Sequence, residues 1–179
     1  DRVMITTMRS SLQEAIPMTE AQFGLLTTAF LVVYGVLSPF AGFLADRFNR
    51  SRVIIGSLFI WSLITWLTAH AKTYEQLLAT RFLMGVSEAC YVPAALALIA
   101  DYHRGATRSL ANGFLLGGVI VGSGLGGVGG WLAERHGWGY AFSLFGLVGI
   151  AFSAVLALLL RDVPHEGVDA RGSTESRQE

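Results

Sequence analysis

The sequence predicts an all-α membrane protein, on three observations. Hydrophobic residues make up 53% of the 179 residues and charged residues 15%, whereas soluble domains carry about 25% charged residues. The mean hydropathy is +0.52. Several stretches stay apolar over the roughly 20 residues that a helix needs to cross a bilayer, and the polar residues gather in short segments between them.

Residues 3–12, VMITTMRSSL, are apolar but too short to span. They read as the second half of a first span, because the chain opens on Asp1-Arg2 without a starting methionine and looks cut from a longer protein. Residues 13–21 read as a polar loop. Within it, Thr19 is a candidate N-cap, with Gln22 three residues on completing a capping box. The second span is expected over 22–45. It contains Gly24, Gly35, Pro39 and Gly42, residue types that membrane helices hold more often than soluble ones. DRFNRSR, residues 46–52, is the densest charge cluster. Further spans are expected over 53–69, 74–100, 109–132 and 140–160. Residues 1–164 would form one transmembrane bundle, and the polar residues 165–179 a disordered surface tail.

Arg and Lys in short loops set orientation. Arg47, Arg50 and Arg52 follow the second span, Arg104 and Arg108 follow the fourth, and Arg161 follows the sixth. The other side carries Arg9, Lys72 and Arg135, one per loop. The DRFNRSR loop and the tail are therefore expected on the cytoplasmic side of a multi-pass cell-membrane protein.

Within the stretch 81–101 of the fourth span an arginine, Arg81, is followed seven residues later by a glutamate, Glu88. They therefore share nearly one helix face at about 10 Å separation. Charges within a membrane helix are costly and mark function by default. Arg81 falls in the outer part and Glu88 near mid-membrane. One reading of Glu88 is a static ion pair that pins helices. The other is a protonation site, because a desolvated carboxyl holds its proton more tightly than one in water. Tyr34, Tyr91 and Asn112 are polar groups within spans and are candidates to line a cavity. Asn112 has the alternative of bonding a neighbouring helix.

The fifth span carries Gly118, Gly122, Gly126 and Gly130 at intervals of four, on one face. Small residues at this spacing let helices approach closely in lipid. Gly122, Gly124 and Gly127 also form a G-x-G-x-x-G, but a dinucleotide site needs a preceding strand and a βαβ frame. Neither is expected here.

Other function classes are excluded. The formal net charge is zero, which argues against nucleic acid as a partner. The four histidines sit at span ends or in loops without a ligand cluster, so no metal is expected. Lys72, the one lysine, follows Ala71, so no phosphate loop exists and no ATP hydrolysis or other cofactor is expected. Glu88 and Cys90 are two residues apart, and such neighbours point to different helix faces. They make a poor nucleophile–base pair, and the chain does not read as an enzyme.

GFLADRFNRSR, residues 42–52, resembles the signature loop between the second and third helices of the major facilitator superfamily. Arg81-x-x-x-Gly85-x-x-x-Ala89 is similar to that superfamily's fourth-helix motif. Asn49 stands where the loop usually has glycine, and asparagine tolerates a left-handed backbone better than most residues. Gly113, Gly122, Gly126 and Gly130 echo the antiporter motif, with Gly127 in place of its proline. DRVMITT, RFLMGVSEACYVPAA and LIADYHRGATRSLANGF resemble the organic anion/proton symporters. DRFNR, FWSL, GVSEACY and VGSGLG also resemble the Spinster branch of lipid and lysolipid transporters.

The resemblance implies the N-terminal six-helix half of a twelve-helix fold, with its first helix truncated. It implies secondary transport of an organic anion, of sugar-acid or carboxylate type, with protons. The Spinster resemblance implies an amphipathic lipid instead, and a non-transporting membrane sensor on the same fold is a further reading. Membrane lipid and the C-terminal half would be the partners. The resemblance further implies that Glu88 is proton-linked, that Arg2 holds an anionic group or pairs with Glu88, and that Asp1 is a second proton-linked carboxylate. Finally it implies a conformational latch built from Gly42, Asp46, Arg47, Arg50, Arg81 and Asp101, in which Arg50 or Arg47 pairs with Asp101. Solvated end charges are the alternative for that cluster.

Overall fold

A computed structural model describes residues 2–160, the side chains of Arg2 and residues 44–46 excepted. The described residues form eight helices and no strand: α1 (Arg2–Thr7), α2 (Arg9–Ala15), α3 (Glu20–Arg47), α4 (Arg50–Thr68), α5 (Tyr74–Ala89), α6 (Tyr91–Tyr102), α7 (Ala106–His136) and α8 (Trp138–Leu159). Five membrane-length apolar helices result: Glu20–Phe43, Arg50–Thr68, Tyr74–Tyr102, Ala106–His136 and Trp138–Leu159. They match the five full spans expected from hydropathy, with most ends a few residues further out. The sixth predicted element, the partial first span, is α1 and α2. The tail predicted over 165–179 lies outside the described residues.

Local chemistry explains the boundaries. Thr19 and Gln22 make the predicted capping box. The Thr19 N–H donates to Gln22 Oε1 at 2.8 Å and the Gln22 N–H to Thr19 Oγ1 at 3.2 Å. The loop before it is shorter than predicted, since residues 13–15 belong to α2. α1 and α2 part at Met8. There Thr6 and Thr7 donate back to the Val3 and Met4 carbonyls at 2.7 and 2.9 Å, competition that bends helices. Asn49 is not left-handed: its φ is −59°, and its side chain caps α4 by accepting the Arg52 N–H.

The fourth span is a single run from Tyr74 to Tyr102, interrupted at one residue, Cys90, whose φ of −78° and ψ of −20° stay right-handed helical. Pro93 cannot donate to the Ala89 carbonyl, and its ring crowds that turn, which accounts for the interruption. Ser57 of α4 donates its hydroxyl to the Ser87 carbonyl one turn before this point, tying α4 to α5.

Small residues set the closest packing. α8 lies on α4 through Gly146 and Gly149. A Cβ on Gly146 would stand 2.6 Å from the Trp66 nitrogen. α5 lies on α3 at Gly85, where a Cβ would stand 3.0 Å from the Phe30 carbonyl. α7 lies on α1 at Gly126, Gly129 and Gly130, which face Val3, Met4 and Thr7. Three buried clusters stack along the bundle: Leu12, Leu77 and Phe142 at one end, Phe30, Ile64 and Met84 midway, and Ile54, Ala94 and Leu98 at the other. The outside is apolar as well; Phe114 is 75% and Leu158 80% exposed. Lipid rather than water is the solvent that such a surface suits.

Candidate functional site

Glu88 sits midway along the Tyr74–Tyr102 span, two residues before the interruption at Cys90. It is 8% exposed. One turn back on its face lie Met84 and Gly85, and two turns back Arg81. α3 and α5 run parallel and touch at Gly85 and Phe30. One turn onward on each helix therefore puts Tyr34 and Glu88 at the same depth. Tyr34 stacks on Phe30, with ring centroids 6.0 Å apart and planes at 20°. Trp61 packs on the same midway cluster and meets Tyr91 edge-on at 6.4 Å. Glu88 thus lies in a layer rich in aromatic rings from α3, α4 and α6. Trp61 was legible in the sequence only as an apolar residue of the third span; nothing in its spacing ties it to Glu88.

Arg81 is 2% exposed. Its Nη2 donates to Thr68 Oγ1 at 3.3 Å, while the Thr68 hydroxyl donates to the Ile64 carbonyl at 2.7 Å. Its guanidinium lies 5.6 Å from the Phe142 ring centre, a cation–π distance. Arg81 therefore joins α5 to the end of α4 and the start of α8.

The Arg50 guanidinium pairs with the Asp101 carboxylate, joining the start of α4 to the end of α6. The sequence left Arg47 and Arg50 open for this role, and Arg50 takes it. Arg47 is exposed, and the Asp46 side chain lies outside the described residues. A Cβ on Gly42 would meet nothing within 4 Å. Arg81, grouped with these by its motif, is twenty residues from Asp101, about 30 Å of helix. The structure places it at the opposite end of the bundle.

The glycine stripe divides. Gly126 and Gly130 are buried against α1, whereas Gly118 and Gly122 are exposed with open space around them. Gly122 instead borders a cavity of about 230 Å³ between α1, α4, α7 and α8, with Met4, Trp61, Thr65 and Phe145. The close contacts of Gly146 and Gly149 escaped the sequence reading. Their signal is the small-residue series Gly146, Gly149, Ser153, which repeats along one face.

Asn112 is on α7, one turn before Leu115, which packs on the Ala94–Leu98 cluster. Its buried Oδ1 has no hydrogen-bond partner among the described residues, a state that typically costs about 1–3 kcal/mol. Arg2 opens α1, on the helix that faces the lower glycines of α7. The Arg2 side chain and Asp1 lie outside the described residues.

The sequence profile of the Major Facilitator Superfamily matches residues 1–178. Protein spinster homolog 1 of Homo sapiens is 31% identical over 173 residues, covering 94% of this chain and 33% of the relative. Sphingosine-1-phosphate transporter SPNS2 of Danio rerio is 27% identical over 176 residues, with 96% and 35% covered. A probable sulfoacetate transporter, SauU of Cupriavidus necator, is 29% identical over 178 residues, with 96% and 40% covered. Among solved structures, a bacterial homologue of the human lysosomal transporter Spinster, inward-facing and occupied, superposes with a TM-score of 0.80. It is 27% identical, and the match covers 95% of this chain and 43% of that one. The chain thus spans about a third of the length of the first of these relatives. The matching profile, the helical bundle and the loop motif agree that the chain belongs to the major facilitator superfamily.

Proposed function

We propose that the complete protein is a secondary transporter that moves an organic anion together with protons by alternating access. The observation that carries this is Glu88: a carboxyl 8% exposed, midway through a membrane-length span. Substrate and coupling-ion sites of secondary transporters lie near the bilayer midplane. A rocking bundle that opens the site to one side and then the other would load and release the proton. Tyr34 lies at that depth to meet substrate, and Asn112 offers an amide from α7. Arg2 would hold the anionic group, with Asp1 as a second proton-linked carboxylate.

The same reading puts the DRFNRSR loop and the tail in the cytoplasm, on the Arg and Lys bias. The Arg50–Asp101 pair would then be the intra-half part of a latch that Gly42, Asp46 and Arg47 complete against the C-terminal half. The substrate would be a sugar acid, a carboxylate or an anion like that in the name of the sulfoacetate relative.

A second reading, carriage of a lysolipid or other amphipathic lipid, is favoured by two observations. The layer around Glu88 is lined by Phe30, Tyr34, Met84 and Trp61, and the Spinster relatives include one named for sphingosine-1-phosphate. Flux into vesicles holding the complete transporter separates the readings. Acidification-driven uptake of sugar acids or sulfoacetate supports the first. Lysolipid transfer without such uptake supports the second. No flux of either kind would overturn both and favour a sensor.

A further inference from the structure

A groove of about 580 Å³ runs between α4 and α5 on the side away from Glu88. Leu83 and Val86 line it, whereas Arg81, Met84, Gly85 and Glu88 lie on the opposite face of α5. We propose that this groove seats one acyl chain of an anionic phospholipid, with the lipid phosphate on Arg52 at its mouth.

Four features lead to this occupant. Along α4 the lining runs from Arg52 to Ile64, twelve residues or about 18 Å of helix. One leaflet of hydrocarbon is half of about 30 Å, so the groove has the depth of one extended lipid tail. Its walls are apolar and open: Ile60, Leu83 and Val86 are all about half exposed. Its floor is bare at Gly56, where a Cβ would meet nothing within 4 Å. The Ser57 hydroxyl in the floor is already bonded to the Ser87 carbonyl, so the floor demands no polar partner.

The mouth supplies the charge complement. Arg52 is exposed and has no ion pair among the described residues, although Arg50 two residues earlier is held by Asp101. A guanidinium is the side chain best shaped to take a phosphate through two parallel hydrogen bonds. Asn49 spends its Oδ1 on the Arg52 N–H, which leaves its amide N–H groups to donate. Arginines just outside a membrane helix draw anionic headgroups, and here that attraction coincides with a slot for the tail. The site needs no transport cycle, so it stands apart from the proposal for Glu88.

The test uses the complete transporter, purified and delipidated, with native mass spectrometry to count bound lipid. Dioleoyl phosphatidylglycerol should be retained at least fivefold over dioleoyl phosphatidylcholine. Arg52→Gln should abolish that preference, and Arg104→Gln, an equal loss of charge on the next loop of the same face, should leave it unchanged. Gly56→Phe should lower retention of both lipids. Should Gly56→Phe fail to fold, phosphatidylglycerol with a mid-chain diazirine answers the question on the wild type. Its adducts should map to residues 53–64 and 83–90. A preference that survives Arg52→Gln would overturn the proposal. So would adducts elsewhere, or crosslinks showing that a helix of the C-terminal half covers Ile60 and Val86.

Discussion

Arg50 and Asp101, 51 residues apart in sequence, pair across the start of α4 and the end of α6. Both side chains are partly exposed, at 21% and 30%. Pairs of this kind contribute about 0.2–1 kcal/mol to stability. Asp101→Asn should therefore shift the melting temperature of the complete transporter by only a few degrees. If the pair is part of a latch, the same change should alter the population of open states, read as spin-label distances across the loop end. The exchange Arg50→Asp with Asp101→Arg should restore the wild-type distances. Unchanged distances in Asp101→Asn would leave the pair as end charges only.

Gly85 is the point where α5 meets the α3 backbone. A Cβ there would already stand 3.0 Å from the Phe30 carbonyl and the Val33 Cβ. Gly85→Leu should force the helices apart at a cost of about 1–3 kcal/mol or more, seen as a clear fall in melting temperature in detergent. Gly42→Ala, which meets nothing within 4 Å, should melt like wild type.

The glycines of α7 should divide in the same way. Gly130→Val meets the Thr7 carbonyl and side chain at 3.1–3.2 Å and should destabilise the bundle. Gly118→Ala has open space and should leave the melting temperature of this half unchanged. Melting curves of the two variants, side by side, check the division.

Arg81 holds α5 to α4 through Thr68. Thr68→Val removes the acceptor and leaves a buried guanidinium N–H short of one partner, a loss of about 1–3 kcal/mol. Arg81→Lys keeps the charge but not the planar group above Phe142, so it should also destabilise. A double-mutant cycle of Arg81→Ala and Thr68→Val should give a coupling of about 0.5–3 kcal/mol; additive effects would show that the 3.3 Å contact contributes little.

The fold was legible in the sequence because lipid imposes a strong rule: every span must be helical, apolar and about 20 residues long. Hydropathy alone therefore locates α3, α4, α7 and α8. The resemblance of the loop implies that Asp101 pairs with Arg47 or Arg50, and only the structure selects Arg50. What hydropathy misses is local and three-dimensional. The interruption at Cys90 depends on one proline, Pro93, within a span that is apolar throughout. The division of the α7 stripe depends on where α1 ends against it, and Gly118 reads no differently from Gly130 in sequence. The aromatic layer near Glu88 needs Phe30, Trp61 and Tyr91 from three helices, and no periodicity within one helix announces that meeting.

In the proposed mechanism Glu88 exchanges a proton during transport. The direct measurement is flux through the complete transporter bearing Glu88→Gln, in vesicles with and without an imposed pH gradient. The glutamine keeps the shape but cannot titrate. Accumulation against a gradient should fall at least tenfold, while substrate exchange across the membrane at equal pH stays within a few-fold of wild type. Normal acid-driven accumulation by Glu88→Gln would rule out proton exchange at Glu88 and leave it as a structural charge between helices.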